Sequence, residues 1–374
     1  MAKQRAKGTP SPAAQVLKDY RKSHNLTQEQ LAYDLHLEPR TYRAYENGEY
    51  PLNNINELRR IADLLGIEPG RLGIASSIYI PRSPEEIEEV IKHVWNLVEE
   101  SRLYEARETI ERFVENIQSQ ITIEDRAMLR SLARVYHTAG YVVSEATRAH
   151  ESYAAVLHYE QMETIARTLD DHTLLNISLT YQGDMFRRLR SYKKAITYLE
   201  AARDTTPSAD TAARGNGLQL LGRAYLRNGE FGKFERAMAE AEELASTFDP
   251  KESSTQGHYS IGTVYEEYGR SYADLGQMQK ALDYLNRAQE TLQTRFWELL
   301  ILTSRAETLV KGGEFREGIQ IAVETAEQVK AAGIERYLDR IYGIQQYLDK
   351  LTREIGQMTE PLRDILDGGQ YREI

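Results

Sequence analysis

Arg40 and Arg43 stand three residues apart in the stretch Leu26 to Asn47, LTQEQLAYDLHLEPRTYRAYEN. A guanidinium fork donates two hydrogen bonds to guanine O6 and N7, and each such pair gives about 1–3 kcal/mol of discrimination against a wrong base. That chemistry requires both arginines on the outer face of one short helix, held across a tight turn by a second. The competing use of the same residues is a solvated helical face, with Arg40 and Arg43 paired to Glu46 or Glu49.

The flanking residues supply such a scaffold. Thr27 is a good N-cap, and Gln30 three positions later completes a T-x-x-Q capping box. Leu31, Ala32 and Leu35 face inward. The next helix starts after Leu37 with Pro39 in its first turn, carries Arg40, Thr41, Arg43 and Asn47, and packs through Tyr42 and Tyr45. Asn47-Gly48 stops it. A preceding helix presents Val16, Leu17 and Tyr20, and the stretch NNINELRRIADLLG sets Ile55, Leu58, Ile61, Ala62 and Leu65 on one face. Five short helices within residues 13–75 make a small self-sufficient domain, behind a basic tail at residues 1–12.

These residues carry a resemblance. LTQEQLA, then TYRAYENG, then LRRIADLLGIEPGRL is similar to the helix-turn-helix of the Cro/CI, or XRE, family of bacterial repressors, over Gln15 to Leu72. The resemblance implies that Gln28 contacts a phosphate or an adjacent base, that Arg40, Thr41 and Arg43 lie on the recognition helix, and that Asn47 binds phosphate. Two positions depart from the family pattern. His36 stands where the turn usually has glycine, and a left-handed histidine costs energy. Glu38 stands where a small hydroxyl residue usually caps the recognition helix.

Residues 76–84, SSIYIPRSP, read as a linker whose Ile78-Tyr79-Ile80 run suits docking of the head against the C-terminal arm. From residue 85 the chain consists of amphipathic segments in which aromatic and small residues recur. Three units agree: Gly183, Phe186, Tyr192, Ala195 and Ala202; Gly222, Tyr225, Gly229, Phe231 and Ala241; Gly269, Tyr272, Gly276, Ala281 and Ala288. Small residues let two helices approach closely and aromatics fill the gaps between pairs. Weaker units fit around Tyr104, Tyr136 and Phe315, and residues 145–173 have the least certain register. The spacing resembles the tetratricopeptide repeat. The expected fold is therefore all-α, a five-helix Cro/CI-like head followed by a right-handed TPR-like superhelix over residues 85–333 and capping helices over 334–374.

In the register of that repeat, Arg130, Arg134, Thr180, Asp184, Arg187, Arg188, Asn216, Gln219, Arg223, Arg227, Glu266, Arg270, Thr303 and Glu307 would face the concave groove. Arginines there suit a carboxylate or an acidic peptide, and Asn216 and Gln219 suit a peptide backbone. The alternative is that they bridge neighbouring repeats.

Composition narrows the function classes. The chain has 374 residues, no cysteine, a hydrophobic fraction of 41% and a net charge of −10. Disulfides, thiol catalysis and cysteine-based zinc sites are excluded. Residues 1–75 hold 11 Lys and Arg against 9 Asp and Glu, so the acid sits in the repeats and the head is mildly basic. No apolar run reaches the roughly 18 residues that span a bilayer, and no phosphate-binding, dinucleotide, zinc-protease or nucleophile-elbow motif occurs. The expectation is a cytoplasmic protein that is not an enzyme and needs no cofactor or metal.

A Cro/CI-like head followed by tetratricopeptide repeats resembles the RRNPP group of bacterial peptide-pheromone receptors. The resemblance implies a homodimer on a palindromic double-stranded operator, with a short signalling peptide in the groove changing operator binding, as in quorum sensing. Two other readings keep the same parts: an arm that docks a protein partner and senses no peptide, and an adaptor whose helix-turn-helix is vestigial.

Overall fold

The computed structural model describes residues 12–50, 52, 54–67, 69–72, 81, 83–117, 125–247 and 258–368. Among these residues every regular element is helical, as expected. The chain divides between Ile80 and Pro81 into two compact units. Residues 1–11 of the basic tail and the Ile78-Tyr79-Ile80 run of the linker lie outside the described residues, and with them the expected docking contact.

The head comprises α1 (Pro12–Ser23), α2 (Gln28–Asp34), α3 (Pro39–Glu46), α4 (Ile55–Leu65) and a closing turn of 3-10 helix, Pro69–Leu72. Thr27 caps α2 as its sequence requires: the Gln30 N–H donates to Thr27 Oγ1 at 3.1 Å, and the Thr27 N–H donates to Gln30 Oε1 at 2.8 Å. His36 adopts φ 51°, the left-handed conformation that a turn glycine would otherwise supply. Leu17, Leu31, Leu35, Tyr42 and Ile61 are buried together. Arg60 of α4 donates to the Leu35 carbonyl at 2.7 Å, tying the turn to the rest of the unit.

Among the described residues the second unit consists of six helix pairs and a terminal helix. The pairs are α5 (Pro84–Glu99) with α6 (Leu103–Ile117), α7 (Arg126–Glu145) with α8 (Tyr153–Leu169), and α9 (His172–Arg188) with α10 (Tyr192–Thr205). They continue as α11 (Thr211–Arg227) with α12 (Phe231–Thr247), α13 (Ile261–Asp274) with α14 (Met278–Thr291), and α15 (Arg295–Lys311) with α16 (Phe315–Ala332). The capping region is one helix, α17 (Glu335–Gly368). The stretch at 145–173 resolves into the end of α7, one 3-10 turn and the whole of α8.

Glycines set the closeness within pairs. A Cβ on Gly183 would lie 2.6 Å from Leu199 Cγ and 3.1 Å from the Ala195 carbonyl, and one on Gly269 would lie 2.8 Å from Leu285. Only a hydrogen leaves room for the second helix.

Odd-numbered helices also touch one another, forming an inner layer, and that layer curves until its ends meet: α15 packs on α5, and α17 packs on α7. Trp95 of α5 lies 4.8 Å, ring to ring, from His258 ahead of α13. Gly333, at φ 73°, leaves space for the Tyr104 ring. The inside of the curve is thus filled by the unit's own side chains.

Because the inner glycines have backbone atoms against them, Gly183→Val should destabilise the repeat unit by about 1–3 kcal/mol through overpacking. The urea midpoint of the full chain, followed by circular dichroism, reads this; an unchanged midpoint would mean that the pairs can separate freely.

Candidate nucleic-acid interface and the interior of the repeat unit

The orientation of α3 follows from its burial pattern. Tyr42 and Glu46, one helical turn apart, are buried on one face and Ala44 is also buried, while Arg40, Arg43 and Asn47 are exposed and Thr41 is half-buried. Glu46 fixes that orientation. Arg21 of α1 grips it with two bonds, Nε to Oε2 at 3.0 Å and Nη2 to Oε1 at 2.6 Å. Burial pushes the Glu46 carboxyl up, but the Arg21 guanidinium, with the Tyr42 and Gln28 side chains beside it, outweighs this and leaves the group below its ordinary range.

Glu46 is therefore not the partner of Arg40 or Arg43. Arg43 pairs with Glu29 of α2 across the turn. Both groups are largely exposed, so water and salt screen the pair and a phosphate or base can displace the carboxylate. Arg40 makes no ion pair among the described residues, and its guanidinium is exposed. Gln28, the first residue of α2, is half-buried with its amide against Glu46. Glu38 caps α3 without a side-chain bond, and Pro39 occupies the first turn. The surface presented by α3 and the start of α2 thus carries one unpaired arginine, one loosely paired arginine and the exposed amide of Asn47.

In the repeat unit the expected groove residues separate into two sets. Arg130 and Arg134 stand apart, paired with Asp171 at 3.0 Å and Glu88 at 2.9 Å. The others meet along the inner layer. Asp184 accepts from Arg187 at 2.5 Å and Arg188 at 2.7 Å. Glu145 accepts from Arg188 at 3.1 Å and also from Arg336 of α17. Glu267 takes both Arg223, at 2.9 Å, and Arg270, at 3.2 Å. Ser304 donates to Glu266 at 2.8 Å and accepts from Arg340 at 2.8 Å. Arg227 ends the series on Asp274 at 2.6 Å, which also binds Lys311 at 2.8 Å. Thr180 and Asn216 are buried beside one another's helices, with Gln219 Nε2 donating to Asn216 Oδ1 at 2.9 Å.

Charges in such an interior must be paired, since desolvation costs several kcal/mol per ion. The structure satisfies this with carboxylates shared between arginines. Burial pushes the Glu267 carboxyl up, yet Arg223, Arg270 and Arg187 hold it down at about 2. Arg187 and Arg340 lie below the ordinary arginine range because burial and neighbouring guanidinium charges outweigh their carboxylate partners.

Next to this network is an aromatic cluster. His258 stacks within 4.2 Å of Tyr141, and His137 lies 5.1 Å from Tyr181. Burial lowers both imidazoles to about 3, helped at His137 by Arg134 and at His258 by His137 and Arg336. Both are neutral structural residues. No group of three or more His, Asp or Glu among the described residues has the arrangement to hold a metal ion, and no helix there is long and apolar enough to cross a membrane.

Comparison with known proteins agrees with the head. Residues 14–72 match the helix-turn-helix domain family. No curated protein matches the chain. Among solved structures, the apo form of the competence regulator ComR from Streptococcus vestibularis is similar at 17% identity and TM-score 0.39, over 80% of this chain and 98% of that one. PlcR from Bacillus thuringiensis, in complex with the peptide PapR7 and DNA, is similar at 15% identity and TM-score 0.37, over 75% and 99%. ComR from S. thermophilus, in complex with DNA and its signalling peptide ComS, is similar at 17% identity and TM-score 0.34, over 81% and 100%.

Two features are absent from the sequence-based expectations. Glu145 and Arg336 are separated by 191 positions, and no local pattern joins them. The second was legible: Ile334, Tyr337, Ile341, Ile344, Leu348, Leu351, Ile355, Met358, Leu362 and Ile365 follow a strict three-four spacing, the seam of a coiled coil.

The buried histidines set a pH dependence. Their folded pKa lies below the unfolded value of about 6.5, so the unfolded chain binds more protons and stability is lost as pH falls below that value. Each should contribute a loss of about 2 kcal/mol by about pH 5. Thermal unfolding at neutral and at mildly acidic pH should show the drop, and His258→Phe should remove part of it; identical pH slopes in parent and variant would show that His258 titrates normally.

Proposed function

We propose that this helix-turn-helix protein is a cytoplasmic transcription regulator that binds a palindromic double-stranded operator as a homodimer. Its head, residues 13–75, reads the DNA; its arm, residues 85–333 with the cap 334–374, is a tetratricopeptide-type sensor of a short signalling peptide. The observation that carries the reading is the outer face of α3, where Arg40 and Arg43 are exposed while Tyr42 and the Arg21–Glu46 pair lock the inner face. Such a face enters a major groove with its arginines toward base edges; exposed Asn47 is assigned to a phosphate at the flank, and Gln28 reaches one only by leaving Glu46.

Homodimerisation is supported by α17. Its seam is buried against the arm at Ile334, Tyr337 and Ile344. Farther along it becomes bare, with Ile355 51%, Met358 79%, Leu362 58% and Ile365 73% exposed. A heptad seam that outruns its own domain is covered most simply by the same seam of a second copy. Two heads then meet two half-sites.

Peptide sensing is supported by the inner layer. Asp184, Arg187, Asn216, Gln219, Arg223 and Arg270 are drawn together there with polar atoms directed inward. In the closed form the charged groups among them are paired, while Asn216 Nδ2 and Arg270 Nε are buried without a hydrogen-bond partner. A peptide offering carboxylates and backbone amides competes for the same partners, and an arm with two such arrangements shifts between them by the difference in affinity. The second reading, a docked protein partner, is favoured by an apolar groove of about 580 Å³ between α16 and α17, lined by Ile319, Val323 and Tyr342.

Arg40→Ala should weaken binding to the cognate operator about tenfold or more, with a smaller effect on unrelated DNA. Arg43→Ala, whose side chain must first leave Glu29, should cost less. Mobility-shift titrations on DNA from upstream of the protein's own gene measure both; equal affinity of all three proteins would remove α3 from the interface. For the seam, Met358→Glu with Leu362→Glu should convert the dimer to monomer in light scattering, and a mass unchanged by these substitutions would place the dimer contact elsewhere.

A further inference from the structure

At the rim of the inner layer, where the C-terminal ends of α7, α9 and α11 converge on α17, lies a cavity of about 470 Å³. Seven arginines line it, against one carboxylate, Asp339. That carboxylate is engaged, since its Oδ2 accepts the Ala149 N–H at 2.8 Å. Four of the arginines spend their charge on the interior network described above. Of the remaining three, Arg190 and Arg227 present exposed guanidinium groups, and Arg340 keeps one nitrogen without an acceptor. Arg190 is exposed and makes no ion pair among the described residues. Arg227 is 37% exposed and binds only Asp274 among the carboxylates. Arg340 reaches Glu307 at 3.4 Å, and its Nη1 is buried with no hydrogen-bond partner.

Helix C-termini account for part of this positive charge, because a last turn attracts cations. They do not account for Arg340, which belongs to the first turns of α17, or for a buried guanidinium nitrogen left without an acceptor, an arrangement that proteins ordinarily avoid. An excess of guanidinium over carboxylate around a half-open cavity is the reverse of what the acidic composition of the unit provides at random. Among the described residues the interior carboxylates are already paired with arginines, although Glu145 keeps one buried oxygen, Oε2, without a hydrogen-bond partner.

We propose that this cavity is a binding site for a compact polyanion, a small molecule whose phosphate or clustered carboxylate groups bridge Arg190 and Arg227 to Arg340. Guanidinium forks match both oxyanions with paired hydrogen bonds. Because Arg190 follows α9, Arg227 ends α11 and Arg340 belongs to α17, the bound anion would clamp the terminal helix to the repeats. Among the lining arginines, Arg187, Arg227 and Arg270 are also expected to meet a peptide, and anion binding is measured without one.

The test is thermal unfolding of the full chain with inorganic pyrophosphate or with citrate, against sodium chloride at matched ionic strength. Pyrophosphate, citrate or both should raise the midpoint beyond the salt control, with the more effective of the two identifying phosphate or carboxylate as the preferred chemistry. Arg190→Glu and Arg190→Gln, at an exposed position with no ion pair among the described residues, should unfold without anion as the parent does, and each should weaken anion binding at least tenfold by calorimetry. A rise no larger than that in sodium chloride, or variants that bind as the parent does, would overturn the proposal.

Discussion

Glu145, at the end of α7, accepts guanidinium groups from Arg188 and from Arg336, one from the neighbouring repeat and one from the terminal helix. The closed form of the arm depends on this shared carboxylate. Removing one partner from a buried ion pair typically costs about 3–5 kcal/mol, because the remaining charge is left unpaired in a medium that cannot solvate it. The contacts that accompany it, Arg148 to Glu335 and the Ala149 N–H to Asp339, are more exposed and contribute less. Apolar packing of α15 on α5 brings the ends together, and the ion pairs select the register in which they meet.

A network of this kind responds as a unit. Asp184, Glu145, Glu266 and Glu267 each serve more than one donor, so a ligand that takes one arginine exposes an uncompensated charge in the next pair. Such coupling makes intermediate arrangements unfavourable, a property that a switching element requires. The head is organised on the same principle at smaller scale. There the buried Arg21–Glu46 pair fixes the rotation of α3, and so decides which arginines reach outward.

The parts of this arrangement that are legible in the sequence are those specified locally. The Thr27–Gln30 capping box, the left-handed turn at His36, the buried Tyr42 and the glycines that admit a second helix are each written within a few residues of where they act. Helix pairs follow from the same short-range signals. What the sequence conceals is long-range: the meeting of α17 with α7, and the fact that residues placed on a concave face become interior when the curve closes. Repeat register puts Arg187, Arg223 and Arg270 on a groove face, but register says nothing of burial, and all three are buried. Local spacing pairs Arg43 with an acid on its own helix or just beyond; it takes Glu29 across the turn instead, because Glu46 is already consumed by Arg21. The long seam of α17 is visible as spacing and is decisive only once its distal half is seen to be exposed.

The most direct test of a ligand-gated regulator is a titration of the full chain on DNA from upstream of its own gene, with and without the small-peptide fraction of the host's spent medium. Peptide gating predicts a specific complex whose midpoint shifts by about tenfold with that fraction, equivalent to about 1.4 kcal/mol of coupling between arm and head. A specific complex whose midpoint is indifferent to the fraction would contradict peptide gating, and the absence of any specific complex at low salt would contradict the DNA-reading head itself.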